Sequence, residues 1–384
     1  MENRFKRYYP TIDNRIFSNY IRYDRLKDLI LHEFANTEYA NCNHVNIFID
    51  IFDILRGIKY EEIENSNEYA LASGIINMIA HYREYFRSRH ATTTYVYIIS
   101  SLNDNPSLRT QIHYYHSFHP NDDMSDEKMQ YINKNIKVLE SIVPYIPNAY
   151  FKHYTSSTTC AAIADIIDYN IKQRNDKSPN IIITRDIINF QLVNLFETPN
   201  IILRPKKSTV GNVNKSSVDM SFSINKQNLM STLVYLRVNN AEELDQQRLK
   251  NRLDKVSAIN PGLYSLFLAM TKVPERGYPS IMNIPSAINI LYNILVEERL
   301  ELNAYTTYPL NLLNLVAERS SNYKFNSTEI ENRFRAIDSY YLLNNLRLTK
   351  VEEYRFVKDL YNPSLLKELN EKFFSEIPLD LNAL

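Results

Sequence analysis

The sequence predicts an α/β protein, with a parallel-sheet domain followed by a mostly α-helical C-terminal half. Short apolar runs rich in Ile, Val and aromatic residues alternate with amphipathic helical segments between residues 41 and 205. Such runs are typical of strands buried on both faces, as in parallel sheets joined by crossover helices. Beyond residue 227 the patterning is helical. We therefore predict a helical lead-in, the α/β domain, an arm with a helical region, and a helical C-terminal region (1–40, 41–205, 206–300 and 301–384).

Composition and charge limit the classes of function. The 384 residues are 44% hydrophobic, and 44 basic side chains balance 44 acidic ones. A net charge of zero gives no overall attraction to DNA or acidic membranes, so any nucleic-acid site must be a local patch. No apolar run approaches the roughly 20 residues that a membrane span needs. The two cysteines have neither disulfide nor metal-ligand spacing, which favours a reducing compartment.

The residue usage also suggests a source. Five glycines, 29 tyrosines, no tryptophan and an abundance of Asn and Ile are typical of proteins from AT-rich genomes, such as those of phages, viruses or AT-rich bacteria. The first ten residues are charged and aromatic, so we expect no signal peptide. The expected location is therefore cytoplasmic, in the host-cell cytoplasm or the virion if the protein is from a phage or virus.

Two predicted strands end in an aspartate. The strand over residues 45–50 ends at Asp50, and a short apolar strand over 180–183 leads to Asp186. Open α/β sheets collect their chemistry at the carboxyl ends of strands, so both aspartates are candidate site residues. If the strands are neighbours, the two carboxylates face one cleft; alternatively, both accept hydrogen bonds from nearby loop amides. Asp53 either caps the helix that follows Asp50 or is a further metal ligand.

Helices and strands alternate between these two strands. The predicted elements are helices over 67–89 and 128–143, strands over 95–101 and 149–154, and a third helix that runs to about 173 and is capped by hydroxyls of residues 156–159. Three arginines near the end of the first helix, at 83, 87 and 89, suit the helix dipole or, alternatively, a phosphate. Asp165 and Asp168 lie three residues apart on the third helix and hence on one side of it.

Two polar stretches are candidate binding segments. The first contains His113, His116 and His119, whose spacing invites a metal site, although the surrounding residues favour an exposed loop. The second lies between predicted strands near 201 and 220, which suggests a hairpin arm. Its basic side chains could contact phosphates or simply be solvated: Arg204, Lys206, Lys207 and Lys215, with Lys226 beyond them.

Three local matches resemble the PIN-like domain of the flap endonuclease and 5′-to-3′ exonuclease family. Asp50 is followed six residues later by Arg56, similar to the family's opening aspartate and arginine. Residues 183–193 resemble the family's Thr-x-Asp-x-Asp segment with its trailing Gln-Leu. Residues 268–281 and 284–291 resemble the helix-three-turn-helix element with which the family grips duplex DNA. Together the matches span residues 45 to about 300, with low similarity throughout.

The resemblance implies a 5′-nuclease that cuts nucleic-acid phosphodiesters with Mg²⁺ or Mn²⁺. Such enzymes use two metal ions held by a cluster of carboxylates. By the resemblance, the metal ligands would be Asp50, Asp186, Asp53 and Asp165, and Arg56 would be the catalytic arginine near the scissile phosphate. DNA or RNA would be held by Arg204, Lys206, Lys207 and Lys215.

Several acidic positions of the family are filled differently here. The helix start that carries an acid in the family reads Thr158, Thr159, Cys160 and Ala161. The family's second aspartate after the strand aligns with Ile188, and Glu275 is the only carboxylate in the DNA-gripping stretch. The alternative function is therefore a catalytically degenerate relative, a pseudoenzyme that serves as a nucleic-acid-binding or structural component of a phage or viral assembly. Protein partners would bind through its helical C-terminal half.

Overall fold

The computed structural model contains a six-stranded sheet with helices on both faces. It describes residues 44–51, 68–90, 93–101, 126–154, 159–184, 186–195, 198, 200–205, 220–224, 262–271, 281–293, 316, 318–319, 327–337 and 363–374. The strands are β1 (His44–Asp50), β2 (Thr93–Ser101), β3 (Ala149–Tyr154), β4 (Asn180–Ile183), β5 (Asn200–Pro205) and β6 (Met220–Ile224). The helices are α1 (Ala70–His90), α2 (Asp126–Ile142), α3 (Thr159–Arg174), α4 (Leu192–Leu195), α5 (Gly262–Met270), α6 (Ile284–Tyr292), α7 (Ser327–Ile337) and α8 (Pro363–Phe374).

The sheet order is β3-β2-β1-β4-β5-β6. The first five strands in this order are parallel, and only β6 runs antiparallel to its neighbour β5. The predicted α/β class with a parallel sheet and a helical C-terminal half is confirmed, and β1 and β4, the two strands that lead to aspartates, are neighbours. The antiparallel β5–β6 pair lies where the hairpin arm was predicted.

Strand β1 is buried on both faces because helices cover each side of the sheet. Its odd-numbered residues face α1 and α2, in the core cluster that contains Ile47 and Ile49. On the other face Phe48 stacks on Tyr97 with ring centroids 4.6 Å apart, and the Tyr97 hydroxyl accepts a 3.0 Å bond from Asn170 of α3. This explains why β1 reads as a continuous apolar run rather than an alternating one.

A row of buried asparagines crosses the amino edge of the sheet. The Asn46 side chain of β1 donates to Asn180 of β4 at 3.2 Å, and Asn180 donates to Asn200 of β5 at 2.8 Å. Asn200 in turn donates to the Leu192 carbonyl at 2.8 Å. Because the buried amides pair only when the three strands are level, this row favours the observed register.

Helix α8, near the C-terminus, packs on the α/β domain. Leu366 and Phe374 are buried in the same core cluster as β1 and β2. The Tyr69 ring lies edge-on to Phe373 and Phe374, with centroids 5.3 and 6.5 Å away. This part of the predicted C-terminal region therefore completes the core on the side of α1 and α2. None of the described helices is long and apolar enough to cross a membrane.

Candidate functional site

Asp50 is a buried carboxylate at the carboxyl edge of the sheet. It ends β1, is 6% exposed, and directs Oδ2 toward three side chains from two other segments. This oxygen accepts hydrogen bonds from Thr159 Oγ1 at 3.3 Å, Thr184 Oγ1 at 2.8 Å and Asn189 Nδ2 at 2.6 Å. We refer to Asp50, Thr159, Thr184 and Asn189 as the edge cluster. Charge-assisted bonds of this kind compensate a buried carboxylate for its lost hydration.

The segment after β4 supplies two of these donors. Ile183 ends the strand level with Ile49, so Thr184 follows directly beside Asp50. The Thr184 hydroxyl oxygen also accepts from the Asn189 amide at 2.7 Å and from the Asp186 backbone N–H at 3.1 Å. Since its one proton goes to Asp50, Thr184 uses its full hydrogen-bonding capacity inside the cluster.

Asp186 begins the next structural element of the chain. It is the N-cap of the 3-10 turn Ile187–Gln191, where its Oδ1 accepts the Ile188 backbone N–H at 3.0 Å. Its backbone is extended and its side chain is fully buried. Satisfying a free amide at the start of a helical turn is an ordinary use of an aspartate. Asp186 thus accepts a hydrogen bond from a backbone amide, as in the alternative given above, whereas Asp50 accepts hydrogen bonds from side chains.

The Asn189 side chain is aligned by its two donations. One Nδ2 proton goes to Asp50 and the other to Thr184, so the opposite orientation of the amide would place its oxygen against the carboxylate. Its Oδ1 is buried and has no hydrogen-bond partner within the described part of the chain. The amide therefore leaves one acceptor unsatisfied to hold the buried charge.

Helix α3 brings Thr159 to the cluster. Thr159 is the first residue of this helix and is fully buried. The first turn of α3 contains no acidic residue, and Cys160 directs Sγ to the Ile188 carbonyl at 3.5 Å. The helix start that is acidic in the resembled family therefore presents a hydroxyl and a thiol as donors in this chain.

These contacts decide how well the cluster suits a divalent cation. Mg²⁺ and Mn²⁺ prefer carboxylate and carbonyl oxygens with open lone pairs. Here three donors direct protons at Asp50 Oδ2, which leaves that oxygen little room for a cation. In the described ranges no group of three or more His, Cys, Asp or Glu side chains is placed to hold a metal ion. The predicted Mg²⁺ or Mn²⁺ cluster also includes Asp53, which lies outside the described residues, so this cluster stays a prediction.

The other predicted site residues are placed as follows. Asp165 is half-buried on α3, about 9 Å along the helix axis from Thr159. Asp168 forms an ion pair with Lys172 at 2.8 Å on the same helix. Arg204 lies in β5, between β4 and the edge strand β6. The remaining predicted residues lie outside the described residues: Asp53, Arg56, Lys206, Lys207, Lys215 and the three histidines of 113–119.

Sequence reasoning missed Thr184 and Asn189 as partners of Asp50, and it read Thr159 only as a helix cap. A signal for two of them was present, because Thr184 and Asn189 are polar residues that flank Asp186 in an otherwise apolar stretch. Their common target could not be read from spacing, since it depends on which strand lies beside β1.

A further polar pair lies at the ends of β2 and β3. Ser100 Oγ and His153 Nδ1 are 2.8 Å apart, and burial lowers the pKa of His153. The register pairs Asp50 with Ile99, so Ser100 and His153 lie one residue further on and point to the opposite side of the sheet. They are therefore separate from the edge cluster.

Asp176 anchors a polar cluster at the amino edge. His44 Nε2 lies 3.0 Å from its Oδ2, Asn46 donates to the same oxygen at 3.2 Å, and the Ser178 backbone N–H donates to Oδ1 at 2.9 Å. Burial alone would raise the pKa of Asp176, but hydrogen bonds from His44, Ser178 and Asn46 together hold it well below its usual range. Ser178 Oγ lies 3.5 Å from His44 Nδ1. The hydrogen bond from the Ser178 backbone N–H to the Asp176 carboxylate closes a turn just before β4.

We expect Asp176→Asn to lower the free energy of unfolding by about 1–2 kcal/mol near neutral pH. Because the folded pKa is depressed, the stabilisation is present above the unfolded value of about 4 and is lost as pH falls toward the folded value. Urea unfolding of both proteins from neutral pH to about pH 3 measures the difference, which should shrink on acidification. Asp168→Asn, which changes an exposed ion pair, should show a smaller deficit. A deficit that grows on acidification would contradict the assignment.

The fold and the edge cluster together define an α/β protein with a parallel sheet covered on both faces and a buried carboxylate at its carboxyl edge. No family model matches the chain, and no curated protein matches it in sequence. Among solved structures it is similar to a substituted variant of the bacteriophage T5 D15 flap endonuclease, in a pseudo-enzyme–product complex with DNA and metal ions. That similarity has a TM-score of 0.43 and 9% identity, covering 85% of this chain and 98% of that chain.

Two further similar structures come from the same phage. One is the T5 D15 protein co-crystallised with metal ions, with a TM-score of 0.43, 10% identity, and coverage of 85% of this chain and 98% of that chain. The other is the T5 5′-exonuclease with bound zinc, with a TM-score of 0.42, 12% identity, and coverage of 83% and 98%. The chain is thus distantly similar to structures of the family that its sequence motifs resemble, at TM-scores too low to transfer any residue's role.

Proposed function

We propose that this chain is a nucleic-acid-binding protein built on a nuclease-like α/β domain that does not cut its ligand. The observation that carries the proposal is the set of three donors on Asp50 Oδ2. Hydrogen bonds from Thr159, Thr184 and Asn189 stabilise this carboxylate, whereas a nuclease cluster would direct it at metal ions. Nucleic acid as the ligand is supported by the sequence resemblance, in particular by residues 268–281 and 284–291.

The proposed contact surface is the basic patch around β5. Strand β5 pairs with β6, the last strand in the sheet order, so Arg204 lies one strand from an edge of the sheet. Arg204 lies in β5, and Lys206, Lys207 and Lys215 belong to the connection toward β6. Phosphate contacts made by these side chains would be independent of sequence and weakened by salt.

Binding is tested by fluorescence anisotropy of labelled single-stranded DNA, 5′-flap DNA and single-stranded RNA, at salt concentrations from about 50 to 200 mM. We expect salt-dependent binding of at least one ligand. Changing both Lys206 and Lys207 to alanine should reduce the slope of log K against log salt by about 1.4, the value for two lost contacts to a single strand. The matched control changes Lys137 and Lys367, two exposed lysines of α2 and α8, to alanine and should leave the slope unchanged.

The same ligands incubated with Mg²⁺ or Mn²⁺ test the absence of cutting. We expect them to stay intact, and we expect the Asp50→Asn variant to bind them as the wild type does if it folds. Metal-dependent cleavage that Asp50→Asn abolishes would overturn the non-cutting part of the proposal. A folded wild-type protein that binds none of the three ligands at low salt would overturn the binding part.

A metal-dependent 5′-nuclease is the second candidate. It is favoured by one observation, namely that Asp50 and Asp186 follow the ends of the neighbouring parallel strands β1 and β4. Asp53 and Arg56, which the resemblance assigns to metal binding and catalysis, would complete such a site. The cleavage experiment with Asp50→Asn separates the two candidates.

A further inference from the structure

The carboxyl edge of the sheet has a basic residue two strands away from Asp50. Strand β4 ends level with Ile49 of β1 and with Leu203 of β5. The next residues along these strands are Asp50, Thr184 and Arg204, and the 2.8 Å hydrogen bond between Thr184 and Asp50 joins the first two. Arg204 therefore lies at the level of the edge cluster, about 10 Å from Asp50 at two strand spacings.

Arg204 also lies on the same face of the sheet as Asp50. Residues alternate between the two faces along a strand, so Asp50 shares the face of Phe48, and Arg204 shares the face of Ile202. Phe48 and Ile202 both pair with Ile182 and hence lie on one face. The irregularity in β5 comes only after Arg204, so the alternation holds up to this residue.

Phe222 of β6 is the cross-strand partner of Arg204. Directly opposite residues of an antiparallel pair lie on the same face, with Cβ atoms about 5 Å apart. Strand β6 is the last strand in the sheet order, and Lys206 and Lys207 follow β5 in the chain. The register thus places a cation and an aromatic residue side by side, next to the edge strand and on the face of the edge cluster.

This combination of residues has a specific use in binding. Proteins hold single-stranded nucleic acid by stacking bases on aromatic rings and contacting phosphates with basic side chains. A base offers its face to such a ring only where the strand is unpaired or unstacked. The carboxyl edge is also where open α/β sheets bind their ligands.

We propose that Arg204 and Phe222 form a binding site for single-stranded nucleic acid, in which a base stacks on Phe222 and Arg204 contacts a neighbouring phosphate. The inference rests on the proposed function and adds the class of ligand, since phosphate contacts alone would hold a duplex as well. It also divides the binding free energy into a salt-dependent part at the basic side chains and a salt-independent part at Phe222.

Stacking is tested by fluorescence in the full chain. The protein contains no tryptophan, so Phe222→Trp introduces a single indole at the proposed site. We expect single-stranded DNA or RNA to quench this fluorescence, because a base stacks on the indole, and a duplex of the same sequence to leave it unchanged. The control is Phe373→Trp on α8, which packs against the core cluster of the other face and should keep its fluorescence with every ligand.

The energetic contribution is tested by anisotropy with Phe222→Leu, which removes the ring but keeps an apolar side chain. We expect about tenfold weaker binding of the single strand, within the range measured for loss of one stacked base. The slope of log K against log salt and the affinity for the duplex should stay unchanged. Arg204→Gln should instead reduce the slope for the single strand by about 0.7, the value for one lost phosphate contact.

The outcomes separate this inference from the proposed function. Unchanged fluorescence of Phe222→Trp, while anisotropy shows that the single strand is bound, would overturn the inference and leave the proposed function in place. Equal affinities of Phe222→Leu and the wild type for the single strand would do the same, as would a wild type that binds only the duplex. A folded wild-type protein that binds none of the ligands would overturn the proposed function, and the inference with it.

Discussion

Replacing Asp50 with alanine is expected to lower the free energy of unfolding by about 3 kcal/mol. The change removes the one acceptor shared by Thr159, Thr184 and Asn189, each of which is buried. Left without a partner, a buried polar group costs about 1–3 kcal/mol, and relaxation of the turn recovers part of the sum. Chemical unfolding of the wild type and the variant at neutral pH measures the loss.

Two variants set the scale for this measurement. Asp50→Asn keeps an acceptor oxygen for the three donors but removes the negative charge that strengthens their hydrogen bonds, so we expect about half the loss. Asp168→Ala removes a carboxylate from the half-exposed ion pair with Lys172 and should change the stability by about 0.5 kcal/mol or less. A loss for Asp50→Ala as small as that for Asp168→Ala would show that the edge cluster does not stabilise the fold.

The same variants distinguish a hydrogen-bonded cluster from a metal site. A site that bound Mg²⁺ with a Kd of about 1 mM would stabilise the folded state by about 1.4 kcal/mol at about 10 mM Mg²⁺. We expect no such stabilisation of the wild type, because protein donors already occupy Asp50 Oδ2. Stabilisation by Mg²⁺ or Mn²⁺ that Asp50→Ala removes would show that the metal-dependent nuclease is the better assignment.

Strands β1, β2, β4 and β5 could be predicted because each contains a short apolar run beside polar residues. A strand buried on both faces lacks the alternation of apolar and polar residues that marks the outward side of other strands. The absence of this alternation is typical of parallel sheets. The prediction that Asp50 and Asp186 share an edge required β1 and β4 to be neighbours. The pairing of Ile49 with Ile183 shows that they are. Strand order is set by long-range packing, which no local pattern reports.

The composition of the edge cluster was harder to foresee. Threonine and asparagine are common in turns and caps, so their presence near Asp186 has a local explanation that needs no partner. The buried row of Asn46, Asn180 and Asn200 illustrates the same limit, because each residue separately looks like a polar strand start. Only the register of three strands shows that these side chains pair with one another.

Replacing Phe374 with alanine is expected to destabilise the protein by about 3–4 kcal/mol. Phe374 is 1% exposed and lies in the core cluster formed by the central strands with α1 and α2, although it belongs to a helix predicted to be part of a separate C-terminal region. Truncation to alanine removes its transfer free energy from water and leaves a cavity that the surrounding helices fill only in part. A single cooperative unfolding transition, shifted as a whole, would show that α8 and the sheet unfold together.

The adjacent residue Phe373 provides a matched control, because it has the same side chain on the same helix but is only partly buried. It packs edge-on to Tyr69 and lies under the Lys372 ammonium, contacts that α8 can lose without opening the core. Phe373→Ala should therefore cost less than half as much as Phe374→Ala, since the loss follows the apolar area withdrawn from water. Equal losses for the two variants, or an early transition confined to the C-terminal helices, would show that α8 is attached to the domain without completing its core. The larger loss at Phe374 would mean that protein partners of the helical half must bind elsewhere than the apolar side of α8, because the α/β domain already occupies that side.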